Sequence, residues 1–137
     1  MTDMEVAAKI LILGGLVSIL YGLLTGIPAG IIRQNNPTYS KYLRFAHIGA
    51  LMWGPILISL ALATELSTLD QGLETVAACL LVLAALALSA KDTMNWLLKI
   101  EDEFAQLPKL PLALGGLSGL MSLVGISILI FGVVSSF

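Results

Sequence analysis

AACLLVLAALAL, residues 77–88, is a run of twelve residues without a charge, an amide or a hydroxyl. A barrel strand with one face in lipid alternates apolar and polar side chains over segments of about ten residues. Unbroken apolarity instead suits a helix with apolar surroundings on every side. Reading outward from this run, the apolar character extends from about Gly72 to Leu98. That exceeds the roughly 20 residues a helix needs to cross the hydrocarbon core of a bilayer. Three other stretches are of similar length: about Ala8 to Ile31, Tyr42 to Ala63 and Pro111 to Val134. Backbone groups in hydrocarbon find no water, so only helices and closed barrels can span it, and continuous runs select helices. The expected fold is an all-α integral membrane protein, with four transmembrane helices in a single antiparallel bundle over residues 1–137.

Composition agrees. Mean hydropathy is +0.97 and 12 % of residues are charged, against roughly a quarter in a soluble globule. A net charge of −2 leaves no basic face for nucleic acid. Cys79 is alone, so an internal disulfide is impossible and a cysteine-rich metal site is excluded. The first residues carry Asp3 and Glu5 beside Lys9, whereas a signal peptide wants a basic start and a short apolar core. The first apolar stretch is therefore expected to be retained as a helix.

Turn chemistry marks the boundaries. Asn35, Asn36 and Pro37 separate the first two stretches, STLDQG (67–72) the next two, and EDEFAQLPKLP (101–111) the last two. Pro111 suits the first turn of the final helix. An even number of spans puts both termini at one end. Arg33, Lys41, Arg44, Lys91, Lys99 and Lys109 all fall at the other end, against Lys9 alone with the termini. The positive-inside rule predicts a multi-pass protein of the cytoplasmic (inner) membrane with both termini on the non-cytoplasmic side.

Small residues recur at every fourth position of the first stretch: Gly14, Ser18, Gly22, Gly26 and Gly30. That spacing gathers them on one helix face, where a partner backbone can approach closely. The fourth stretch has a looser version in Gly115, Gly119, Ser122 and Gly125. The partner is either another helix of the chain or a second copy. Pro28 is expected to kink or end the first helix. There is no internal repeat, and the chain is short for a transporter built from inverted repeats.

Polar residues at membrane depth are the functional candidates. His47, the only histidine, lies about two turns into the second stretch; Asn95 lies a turn or two inside the same end of the third. Lys91, Asn95 and Lys99 share a face at spacing four, with Asp92 adjoining, a line that could point towards His47. The plain alternatives are a histidine bonded to a backbone carbonyl or headgroup water, and lysines and arginines that snorkel to the interface. A more specific use exists. An imidazole can hold haem iron, and the two propionates of the macrocycle need cations at the membrane edge. Arg44, one turn before His47, is on a similar face, with Arg33, Lys41, Lys91 and Lys99 at the same edge. One histidine per chain leaves a five-coordinate iron suited to chemistry, or Met52 or Met94 as second ligand, suited to electron transfer. Trp53 and Trp96 read as belt or packing residues. Glu101, Asp102 and Glu103 read as a solvated loop, with no histidine nearby to complete a metal site. No Ser/His/Asp arrangement, phosphate loop or zinc spacing is present.

The segment Ala46-His47-Ile48-Gly49-Ala50-Leu51-Met52-Trp53-Gly54 resembles the second helix of styrene oxide isomerases and hydroxylaminobenzene mutases. That group has an alanine–histidine pair followed, seven residues after the histidine, by a glycine, which matches Gly54. Leu23-Leu24-Thr25-Gly26, Asn36-Pro37 and Asn95-Trp96 resemble further parts of it, so the likeness covers roughly residues 20 to 100. Trp53 stands where the group has a substrate-orienting asparagine, Lys91 where the epoxide isomerase has an aspartate, and Lys99 where it has a tyrosine. The resemblance implies a small membrane isomerase, a homotrimer with a b-type haem. His47 would be the axial ligand of an iron that acts as Lewis acid on a small hydrophobic substrate such as an epoxide, with Asn95 beside the substrate. The other reading is a non-catalytic haem or electron-transfer protein, or a structural subunit of a larger membrane complex.

Overall fold

The computed structural model describes residues 5–36 and 38–137; Asp3 and Pro37, which belong to the first segment and the first loop, lie outside the described residues. Four helices account for most of the chain: α1 (Val6–Asn35), α2 (Lys41–Leu66), α3 (Gln71–Leu97) and α4 (Leu110–Val134). Each is long and apolar enough to cross a membrane. The chain is an all-α four-helix membrane bundle.

The helices outrun the apolar stretches by one to a few residues at most ends. Polar residues such as Gln34 and Asn35 remain helical, because backbone hydrogen bonds continue wherever caps permit. Ser40 caps α2 through Tyr42 N–H at 3.3 Å. Asp70 caps α3 through the N–H groups of Gly72 and Leu73 at 3.0 and 3.2 Å. Pro28 does not end α1, which continues to Asn35; neighbouring helices tolerate the lost bond in a membrane bundle.

Helix α3 touches all three other helices, while α1 and α4 make no contact with each other among the described residues. The broad buried surface that this requires on α3 is supplied by alanines and one leucine: Ala77, Ala78, Leu81, Ala84 and Ala85 are at most 1 % exposed. The α1 ladder is used within the chain. A methyl on Gly22 would meet Leu51 of α2 at 2.8 Å, and one on Gly26 would meet the His47 ring of α2 at 2.7 Å. Gly14 instead abuts Val82 of α3, and Gly30 faces open space. One sequence face thus serves two partners in turn.

On α4 the seam differs from the expected one. A Cβ on Gly119 would have nothing within 4 Å, while Pro111, Ser118, Gly125 and Gly132 are buried. These residues recur at intervals of seven, which is two helical turns and returns to the same face. Ser118 Oγ donates to the Ala84 carbonyl of α3 at 2.8 Å, and Gly125 lets Leu81 of α3 approach to 2.8 Å of where its Cβ would stand.

Candidate functional site

His47 faces α1. Its Nδ1 lies 2.7 Å from the carbonyl oxygen of Gly22. A carbonyl can only accept, so in the neutral ring Nδ1 carries the proton and Nε2 keeps its lone pair. Gly26 makes room one turn further along α1: a Cβ there would lie 2.7 Å from Cε1 and 3.0 Å from Nδ1 of the ring. Two glycines of the ladder therefore seat the imidazole, one supplying an acceptor and one a missing side chain. Nε2 has no hydrogen-bond partner among the described residues and is not sealed in the interior. His47 is half-buried, at the outer edge of the α1–α2 seam, where Leu23 and Ile27 of α1 and Ile48 of α2 are exposed.

Arg44 is exposed one turn earlier on α2, about 60° round the helix from His47. It borders a groove of about 530 Å³ that runs between α2 and α3 and is also lined by Phe45, Ile48, Met52 and Asp92. Met52 lies about 140° round α2 from His47, and Met94 lines a crevice between α1 and α3. Trp53 packs against the central apolar cluster, so its indole takes up core space rather than the exposed side of the histidine ring.

Asn95 and Lys91 belong to a separate assembly at the loop end of the bundle. The structure turns this face of α3 towards the α3–α4 loop. Lys91 Nζ donates to both carboxylate oxygens of Glu103 at 3.1 Å, and Asn95 Nδ2 donates to Glu103 Oε2 at 2.7 Å. The Glu103 N–H in turn donates to the hydroxyl of Tyr42 on α2 at 3.2 Å. Asp92 Oδ1 is 3.1 Å from Lys91 Nζ, close enough for an ion pair but not aligned for a hydrogen bond. Gly115 of α4 lets the lysine stem pass, since a Cβ there would meet Lys91 Cδ at 2.9 Å. Asn95 is fully buried and its Oδ1 has no partner.

The acidic loop read as solvated is therefore only partly so. Glu101 and Asp102 are exposed, whereas Glu103 is drawn in because α3 offers it an ammonium and an amide at once. A usable signal was present in the sequence: two donors at spacing four, followed eight residues later by a carboxylate able to reach back. Lys99 lies apart from this cluster, on a cleft between the α1–α2 connection and the end of α3 that it shares with Lys41.

At the opposite end, Glu74 in the first turn of α3 is 1 % exposed. The side chains of Glu5 and Ser67 are within hydrogen-bonding reach of its carboxyl group. Each of the two glutamates keeps one oxygen without a partner. Nothing in the apolar patterning of the third stretch marks Glu74 for burial.

Among the described residues, no group of three or more His, Cys, Asp or Glu is arranged to hold a bare metal ion. No protein-family model, curated protein or solved structure matches the chain.

Proposed function

We propose that this chain is a membrane-embedded, haem-b-binding protein of the isomerase type, in which His47 would hold the iron. The observation that supports this reading is the bond between Nδ1 and the Gly22 carbonyl. Metal-ligating histidines habitually donate their second ring N–H to a carbonyl or carboxylate, which fixes the tautomer and aims the free nitrogen. His47 has that arrangement, with Gly26 leaving room for the ring against α1. Haem would supply a Lewis-acidic iron able to polarise the oxygen of a small hydrophobic substrate such as an epoxide.

The surrounding residues have distinct parts in this reading. Arg44, exposed and without an acidic partner, is available to a propionate at the membrane edge. Lys91 is not, because Glu103 and Asp92 already neutralise it. Asn95, sealed against Glu103, has a supporting role in the α3–loop joint and no contact with substrate. Leu23, Ile27 and Ile48 offer one apolar wall; a planar macrocycle needs a second, which a neighbouring copy in a homo-oligomer, a trimer by resemblance, would provide. We orient the loop end towards the cytoplasm, since six of the seven basic residues sit there.

The test is the absorption spectrum of the full chain, expressed with ample haem and purified in mild detergent. A Soret band that is lost or shifted in His47→Ala, with helix content unchanged, is the expected result. Added imidazole should bind the iron and shift the band, because neither Met52 nor Met94 stands beside the ring. Colourless protein would refute haem binding. A six-coordinate, low-spin iron indifferent to imidazole would replace the isomerase with an electron-transfer protein.

A further inference from the structure

The cleft at the loop end of the bundle has a volume of about 700 Å³ and lies where α1 ends, α2 begins and α3 ends. Its lining includes the part-buried Ile32, Tyr39 and Trp96 and the exposed Lys41, Lys99 and Glu101. These are helix ends, so the cleft sits at the level where hydrocarbon gives way to headgroups. Tryptophan and tyrosine favour that level, and lysine there attracts anionic lipid.

Lys99 is held in an unusual way. The end of α3 is a Schellman turn: the Ile100 N–H donates to the Asn95 carbonyl at 2.9 Å and the Lys99 N–H to the Trp96 carbonyl at 3.1 Å. The residue at this position takes a left-handed backbone conformation, and Lys99 has a φ of 54°. Glycine adopts that conformation without a steric penalty, and lysine does not. The lysine at the glycine position of the turn lines the cleft. Ile100, the next residue, is buried and anchors the turn beneath it.

We propose that this cleft binds the headgroup of an anionic glycerophospholipid, with the phosphodiester held between Lys41 and Lys99. Two lysines against Glu101 leave one net positive charge, which matches a headgroup carrying one negative charge. Trp96 and Ile32 line the path of the glycerol and upper acyl chain. This inference is independent of haem at His47.

Trp96 is also the reporter. In a Trp53→Phe background it is the only tryptophan, and bromine on a lipid acyl chain quenches it on contact. The full chain is placed in phosphatidylcholine vesicles containing a minor fraction of brominated phosphatidylglycerol or, separately, brominated phosphatidylcholine. Half-quenching should need about fivefold less of the anionic lipid for each lysine that holds it. Lys99→Gly and Lys41→Ser should each remove about that factor. Lys99→Gly should also unfold at the same temperature or higher, because glycine suits the turn. Arg33→Ser removes one charge from the same end but outside the cleft, and should leave the preference intact. Equal quenching by the two lipids would overturn the proposal. So would a loss of preference in Arg33→Ser as large as that in Lys99→Gly, which would show a diffuse basic belt in place of a site.

Discussion

Gly26→Ala and Gly30→Ala make the same chemical change one turn apart on the same face of α1, and the structure assigns them opposite outcomes. At Gly30 an added methyl meets nothing within 4 Å, so only the helix-propensity gain of up to about 1 kcal/mol remains. At Gly26 the methyl would stand 2.7 Å from Cε1 of His47 and 3.0 Å from Nδ1. The ring must move, and a ring that moves leaves the Gly22 carbonyl. Overpacking of this kind costs about 2 kcal/mol, and the lost hydrogen bond about 1 kcal/mol more. The propensity gain is common to both variants and cancels in their comparison. Gly26→Ala should therefore be less stable than Gly30→Ala by about 3 kcal/mol, from the sum of those two costs. Reversible unfolding in mixed detergent micelles reads the difference directly. On the haem reading proposed above, Gly26→Ala should also perturb the Soret band while Gly30→Ala leaves it unchanged. Equal stability of the two variants would refute this seating of His47 between Gly22 and Gly26.

Further outcomes follow from the same contacts. Glu103→Ala deprives both Lys91 and the buried Asn95 amide of their shared partner and should destabilise the protein by about 2–3 kcal/mol; Glu103→Gln, which can still accept from Asn95, should cost roughly half as much. A double-mutant cycle with Lys91→Met should give a coupling of about 1 kcal/mol or more, and zero coupling would contradict the ion pair. Ser118→Ala should cost only about 0.6 kcal/mol, the usual worth of a polar contact between helices in lipid, measured by the same unfolding assay. Glu5→Lys gives the buried Glu74 a counter-ion in place of a second carboxyl group, so it should raise the unfolding midpoint, whereas Glu5→Gln should raise it less.

The four helices were legible because hydrocarbon leaves a backbone few choices, and a long apolar run answers to that one constraint. What an apolar run does not encode is helical phase. From sequence His47 and Asn95 are expected at the same end and at comparable depth; the structure has both towards that end, but His47 is six residues inside the start of α2 and Asn95 only two from the end of α3. Yet the ring turns to Gly22 on α1, and the amide turns to Glu103 on the loop. In a soluble bundle a polar face would have fixed both directions, but here lipid and protein are equally apolar and both faces of each helix read alike. The α4 seam shows the same difficulty. Of the expected ladder Gly125 is buried and Gly115 abuts Lys91, but Gly119 faces open space, and the seam runs instead through Pro111, Ser118, Gly125 and Gly132, because a helix among apolar neighbours is oriented by close fit and not by hydropathy. The polar atoms then become the informative ones. A hydroxyl, an amide or an imidazole in lipid must find a partner, and each partner found here fixes one rotation: Ser118 on Ala84 for α4, Asn95 on Glu103 for α3 and His47 on Gly22 for α2. For Ser118 the contact does nothing further. For His47 it leaves Nε2 with a lone pair and no partner among the described residues, and that remaining valence separates a functional candidate from a packing contact.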